Sequence, residues 1–337
     1  MNSISRRQLL AGGAAIAAMG ALGLAGCGGS NDSSSSSSES GAPASLGIAY
    51  QFGLSYAPVV IAKEQGLIEA AYKEINGGEL TIEWNQMSSG ADINTGISSG
   101  SLQLGFMGLG PAITGIATGL DYRIFSNISG QEHGLMTSNP RITKLEDLVG
   151  SSEQIALVNI GSFQHIVLAK ALDNAGLDPH ALDSNIVAMA HPDGMAALQS
   201  GNVSCHLTSS PYIFTERADS SFHELTEVND AWGPEDSFIV GVASSTLHDD
   251  EDLYNAVCTG IERAMEFITD SAEDAAAILC EFDGNTAEEE LEYLEKGVYT
   301  PQTSKLFEMA TFLSDAEFID KKIESYSDLV YSNVTGD

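Results

Sequence analysis

The chain has 337 residues and a formal net charge of −33, from 47 acidic against 14 basic side chains. That balance excludes nucleic-acid binding, because there is no basic cluster to neutralise phosphates, and it disfavours docking on an anionic membrane surface. It describes a repulsive, well-solvated surface and does not name a ligand.

The first stretch is an address. Ser5-Arg6-Arg7-Gln8 precedes an Ala/Gly/Leu-rich run from Leu9 to Leu24, and Leu24-Ala25-Gly26-Cys27 follows. Residues 1–26 therefore read as an export signal. The arginine pair fits the twin-arginine type, and a Sec signal can carry such a pair too. The apolar run is shorter than the ~20 residues of a spanning helix. The Leu-Ala-Gly-Cys tetrad resembles a bacterial lipobox, which implies lipidation of Cys27 and a membrane anchor. Cleavage removes Arg6 and Arg7 and leaves the chain more acidic still. Residues 27–45, with serine at every position from Ser33 to Ser38, form a flexible tether.

The rest is long enough for two lobes, each with its own core. Periodicity predicts strands at Leu46–Gln51, Leu80–Trp84, Leu102–Met107, Tyr122–Ile128, Gln154–Val158, Ile186–Ala190, Ser204–Thr208 and Phe238–Ala243. Helices are expected between most of them, over Ala57–Gln65, Ala91–Ser98, Pro111–Thr118, Phe163–Ala175 and Gly194–Ser200. Such alternation implies α/β lobes with parallel sheets. Past Ala243 the pattern is helical. Tyr254, Val257, Cys258, Ile261, Met265 and Ile268 share one face, and further helices are expected over Ala272–Glu281, Ala287–Lys296, Ser304–Leu313 and Ala316–Ser325. The expected division is 46–129 as the first part of lobe one, 130–237 as lobe two with the hinge crossings, and 238–337 as a return to lobe one with C-terminal helices packed on it.

The two halves share a grammar. The segment from Ser88 to Gly108 runs helix, Ser-Gly break, strand; the segment from His191 to Pro211 repeats it. In such sheets a ligand binds beyond the carboxyl ends of the strands, where loops enter helices. The candidate ligand-binding residues in those loops are Ser55, Tyr56, Ser89, Gly90, Gly108, Gly110, Ser162, Phe163, Ser210 and Tyr212. Gly90 and Gly108 let a ligand approach backbone N–H groups at positive helix ends, and Ser162 doubles as the N-cap of its helix. Tyr56 and Phe163 serve either as flat walls or as core packing. Glu132 lies where the chain crosses between lobes. No Arg or Lys falls in these loops, so an oxyanion would have to be held by N–H and hydroxyl donors. Cys205, Cys258 and Cys280 admit one disulfide between Cys258 and Cys280, with free thiols as the alternative, and no spacing fits a metal site.

Four segments carry a family resemblance. Ser55-Tyr56-Ala57-Pro58-Val59-Val60-Ile61-Ala62-Lys63-Glu64-Gln65-Gly66-Leu67 resembles the first-helix signature of the substrate-binding proteins of nitrate, sulfonate, taurine and thiamine-precursor ABC importers. Leu102 to Gly108, Ile142 to Gly150 and Ala196 to Val203 resemble further segments of that family in matching order. The resemblance implies a two-lobed type II periplasmic-binding-protein fold that captures a small solute by hinge closure and delivers it to a permease. It implies no catalysis and no cofactor, and a monomer held outside the cytoplasm by its lipid. Gln103 stands where many relatives carry an acidic residue, and Val203-Ser204-Cys205 where they carry Val-Asp-Ala. Two other roles share this fold: a solute-sensing domain, and a thiamine-pyrimidine precursor synthase, whose cysteine-rich iron-binding stretch is missing here.

Overall fold

The computed structural model describes residues 44–337. The export signal, Cys27 and all but the last two residues of the tether lie outside the described residues.

The first segment comprises β1 (Ala44–Tyr50), α1 (Ala57–Glu64), α2 (Leu67–Asn76), β2 (Leu80–Gln86), α3 (Gly90–Ser98), β3 (Leu104–Gly108), α4 (Leu109–Thr118) and β4 (Tyr122–Ser129). The chain then crosses to β5 (His133–Thr137), β6 (Ile155–Leu157), α5 (Phe163–Asn174), β7 (Ile186–Ala188), α6 (His191–Gln199), β8 (Cys205–Ser209), α7 (Tyr212–Ala218), β9 (His223–Leu225) and α8 (Glu227–Ala231). It returns through β10 (Ile239–Ser244) into α9 (Ser245–Asp249), α10 (Glu251–Asp270), α11 (Ala272–Asp283), α12 (Ala287–Leu294) and α13 (Leu306–Asp315).

Two five-stranded sheets result, in the orders β2-β1-β3-β10-β4 and β7-β6-β8-β5-β9. Each has a parallel half, β2-β1-β3 in one and β7-β6-β8 in the other. The expectation of parallel sheets fails for the remainder. β10 is antiparallel to β3 and β4, and β5 is antiparallel to β8 and β9. Both β10 and β5 are entered by chain arriving from the other sheet instead of through a helical crossover, so nothing forces them parallel.

α1 shows how the sequence sets these layers. Pro58 lies in its first turn, where no N–H is missed, and Ala57 through Ala62 are all buried. A helix apolar on every side must be covered on every side, and α10 and α11 supply part of the cover from beyond the second sheet. α10 lies so close to α2 that a Cβ on Gly260 would meet the Ile68 backbone nitrogen at 2.9 Å. The C-terminal helices thus pack on the first α/β lobe. The helix expected over Ala316–Ser325 does not form: Glu317 takes a left-handed φ of 60°, and Phe318 N–H bonds back to Leu313 O at 2.8 Å, ending the helix. Cys205, Cys258 and Cys280 are free thiols.

The crossings run side by side. Phe238 N–H bonds Ser129 O at 2.9 Å, and Gly130 exchanges both backbone bonds with Val298 at 2.8 and 2.9 Å. A Cβ on Gly130 would overlap the carbonyl oxygens of Pro234 and Asp236. Only glycine permits this approach.

Candidate functional site

The carboxyl ends of β1 and β3 face those of β6 and β8 across a narrow cleft. Its lining comes from the loops expected to hold it: Gln51, Phe52, Ser55 and Tyr56 after β1, Ser88 and Gly90 before α3, and Gly108 and Pro111 after β3. From the other side come Val158, Ser162, Phe163 and Gln164 after β6, Ala190 and His191 after β7, and Ser209 after β8; Phe238 closes the floor at a crossing. The enclosed volume is about 30 Å³. That is room for a single water, so a solute of several heavy atoms enters only when the sheets part.

Four helices of nine to twelve residues start on this cleft: α3 behind its N-cap Ser89, α4 behind Gly108, α5 behind Ser162 and α6 behind Ala190. Each start carries unpaired N–H groups and the positive end of a dipole. The side chains add neutral polarity. Ser55 Oγ is buried and has no hydrogen-bond partner. Ser162 Oγ accepts from His165 N–H at 3.3 Å, which leaves its own proton to donate. Gln51 Nε2 donates to the Tyr56 hydroxyl at 2.8 Å. Phe163 and Phe238 pack with ring centroids 4.5 Å apart and form an apolar wall.

Among the described residues no Asp, Glu, Lys or Arg lines the cleft, although the chain carries 47 carboxylates. The titratable groups that do line it are held neutral at pH 7. Burial, and then repulsion from His206, pushes His191 down to about 3. Burial drives Tyr56 far above the usual phenol range.

Of the residues singled out by sequence, the cleft brings together Ser55, Tyr56, Gly90, Gly108, Ser162 and Phe163. Five stand behind or beside it. The Ser89 hydroxyl accepts from Asp92 N–H at 3.2 Å as an N-cap. Gly110 faces Ile166 of α5. Glu132 is paired with Arg217, which also binds Glu224. Ser210 is buried in the turn after β8, and Tyr212 stacks on the His191 ring at 5.7 Å. Gln164, His191 and Phe238 also line the cleft and were not among the residues expected there. His191 reads from sequence as the start of a helix, and its place in the cleft is set by which strand α6 follows.

A larger hollow, about 990 Å³, lies under the C-terminal segment between Tyr122, His248, Lys321 and Tyr331. It sits at the opposite end of the first sheet, where β4 begins and β10 ends, away from the converging helix starts.

Two facing α/β lobes with a cleft at their strand ends form the fold of the periplasmic binding proteins. Residues 39–282 match the model of the NMT1-like family, and the chain belongs to that family. It is 26% identical over 155 residues to the taurine-binding periplasmic protein of Escherichia coli (strain K12), covering 45% of this chain and 47% of that one. It is 30% identical over 175 residues to a putative aliphatic sulfonates-binding protein of the same organism, covering 51% of each. The matches thus span about half the length of these curated relatives. Among solved structures, the alkanesulfonate-binding protein SsuA of Xanthomonas axonopodis pv. citri, bound to MOPS, superposes with a TM-score of 0.71 at 19% identity, over 88% of this chain and all of that one. The periplasmic nitrate-binding protein NrtA of Synechocystis PCC 6803 gives 0.59 at 14% identity, over 73% and 69%. These relatives are binding proteins, not enzymes.

Proposed function

We propose that this chain is the solute-binding component of an ABC importer and that its solute carries a small oxyanion headgroup, a sulfonate foremost. The observation that carries the anion is the cleft itself: four helix starts and several hydroxyls converge on a space that no carboxylate lines among the described residues of a very acidic chain. Converging N–H groups hold an oxyanion without a fixed cation, and a carboxylate there would repel it. The sulfonate- and taurine-binding relatives support the same class.

In this reading the lobes are 46–129 with 238–337, and 130–237; they part at the crossings near Gly130, admit the solute and close on it. The closed face is what a permease recognises. The leader 1–26 directs export by the twin-arginine route, and lipidated Cys27 with the tether through residue 45 holds a monomer outside the cell membrane.

The test is a thermal-shift and calorimetric screen of taurine, ethanesulfonate and nitrate against neutral sugars and cationic amines. A solute at 100 times its Kd adds about 2.7 kcal/mol of stability. Stabilisation by sulfonates alone supports the reading, and stabilisation only by amines or sugars would overturn it.

A further inference from the structure

Behind the cleft runs a chain of buried polar groups that the folded body needs no help from a ligand to assemble. Gln164 Nε2 lies 3.1 Å from His191 Nε2, His191 Nδ1 lies 3.4 Å from His206 Nε2, and His206 Nδ1 lies 2.6 Å from Glu216 Oε1. The four come from α5, α6, β8 and α7 in turn. All are at least nine-tenths buried. Gln164 and His191 line the cleft, whereas Glu216 is at the far end with Oε2 unpartnered. A Cβ on Gly194 would overlap the His206 ring, so α6 lies directly on it.

Such a chain has two polarities. With Glu216 ionised, every N–H points inward: His206 Nδ1 donates to the carboxylate, His191 Nδ1 donates to His206 Nε2, and His191 Nε2 is left an acceptor facing the cleft. With one more proton the bonds reverse. The Glu216 hydroxyl donates to His206 Nδ1, His206 Nε2 donates to His191 Nδ1, and His191 Nε2 carries a proton to the cleft once the Gln164 amide turns away. The first form presents a lone pair and a net negative charge to an incoming anion. The second presents a neutral chain ending in a donor.

We propose that the His191–His206–Glu216 chain sets the ligand's charge class: an oxyanion is bound only by the form in which Glu216 holds a proton and His191 Nε2 donates into the cleft. Where Glu216 is ionised in the free protein, the anion therefore brings in one proton from solvent, which ends on the chain, so that charge entering the cleft is balanced. This rests on the oxyanion reading above.

The surroundings favour this use. Around His191 the facing groups are Gln164 from α5, His206 from β8 and Tyr212 from α7, with Tyr56 across the cleft. Gln164 cannot ionise, and burial keeps His206 and Tyr56 uncharged at neutral pH. Arg217, next to Glu216 on α7, is engaged by Glu132 and Glu224. Burial holds both imidazoles at about 3 and pushes the Glu216 carboxyl up to about 8. Glu216 is thus the member of the chain that changes state in the neutral-to-alkaline range.

The experiment is calorimetric titration of the full chain with ethanesulfonate, whose own charge is constant, at pH 6 to 10 in buffers of differing ionisation enthalpy. Expected is a Kd that is flat to about pH 7 and then rises toward tenfold per unit above the Glu216 midpoint. Net proton uptake should climb from near zero to about one over the same range. In Glu216→Gln the Kd should be flat across pH 7 to 10. The proton count is read on the wild-type chain and does not depend on that variant folding. Ethanesulfonate bound with equal Kd at pH 7 and 10, and with no buffer dependence, would overturn the inference and leave the oxyanion reading standing. No binding at any pH would overturn both.

Discussion

Gly110 of α4 and Ile166 of α5 meet so closely that a methyl group on Gly110 would overlap Ile166 Cδ1. The contact joins the first α/β lobe to the second at the rim of the cleft, beside Gly108, whose own Cβ would meet Phe163 Cβ at 2.8 Å. In the closure proposed above, Gly110 is a contact between the lobes beside the cleft. Gly110→Ala should leave the open state untouched and strain the closed one. Overpacking of this kind costs about 1–3 kcal/mol, so the Kd for the bound solute should rise by about 5- to 150-fold. Calorimetry checks it, with small-angle scattering to read loss of compaction. An unchanged Kd would mean that the lobes do not close onto this contact.

A second tie lies one turn further along the same face of α5. Lys170 Nζ lies 3.0 Å from Glu308 Oε1 on α13 and 5.3 Å from the Phe312 ring centroid. α13 packs on α4, so the lysine links the lobes. Glu308 is half exposed, which limits the ion pair to about 0.2–1 kcal/mol, and the ring adds a similar amount. Lys170→Met keeps the aliphatic stem and removes the charge. Its Kd should rise about two- to thirtyfold at low salt, and the difference from wild type should shrink in 0.5 M salt.

Much of this site was legible before any coordinates. The helix, Ser-Gly break and strand that recur around β3 and β8 are local patterns, and small residues at strand ends mark where backbone is approached. Of the eleven residues expected on the cleft, six line it and five do not. The rest depended on tertiary partners. Gln164 is one residue past the foreseen Phe163, yet it matters because α6 brings His191 against it. His206 and Glu216 are ten residues apart and meet only when α7 folds back on β8. His206 is the second residue of Cys205–Ser209, a strand buried at every position, and a buried titratable group must have a partner. The strands β5 and β9 are short and polar-flanked, and the pairing that stabilises them is with β8 and with each other.

Four buried histidines, His133, His165, His191 and His206, make stability fall in acid, each held below its ordinary value by burial. Burial holds His133 at about 4, and His191 and His206 at about 3, against 6.5 unfolded. Their folded values are depressed, so between pH 6.5 and about 4 the unfolded chain binds more protons and unfolding becomes easier as pH drops. Glu216, raised to about 8, acts in the other sense, because the folded state keeps a proton the unfolded state releases. His133→Phe keeps the ring against Phe163 and Phe238 and removes one titration. Urea unfolding at steps from pH 6.5 to 4.5 should show its stability declining less steeply than wild type, by about 1.4 kcal/mol per pH unit. Parallel curves would show that His133 is not held neutral.

Ser55 separates binding from folding. Its hydroxyl oxygen is buried without a partner, on the short turn that leads from β1 into α1, while its carbonyl accepts from Ser129 Oγ at 2.8 Å at the start of the crossing. Ser55→Ala keeps the carbonyl and deletes only the oxygen that has no bond in the free protein. An unsatisfied buried polar atom costs about 1–3 kcal/mol, so the variant should be as stable as wild type or more so in thermal unfolding. If Ser55 Oγ instead donates to the bound solute, the same substitution removes one hydrogen bond from the complex, about 0.5–1.5 kcal/mol, and the Kd rises about two- to thirteenfold. Raised stability with weakened binding is the expected pair of results. A loss of stability with an unchanged Kd would assign Ser55 to the fold and take it out of the site.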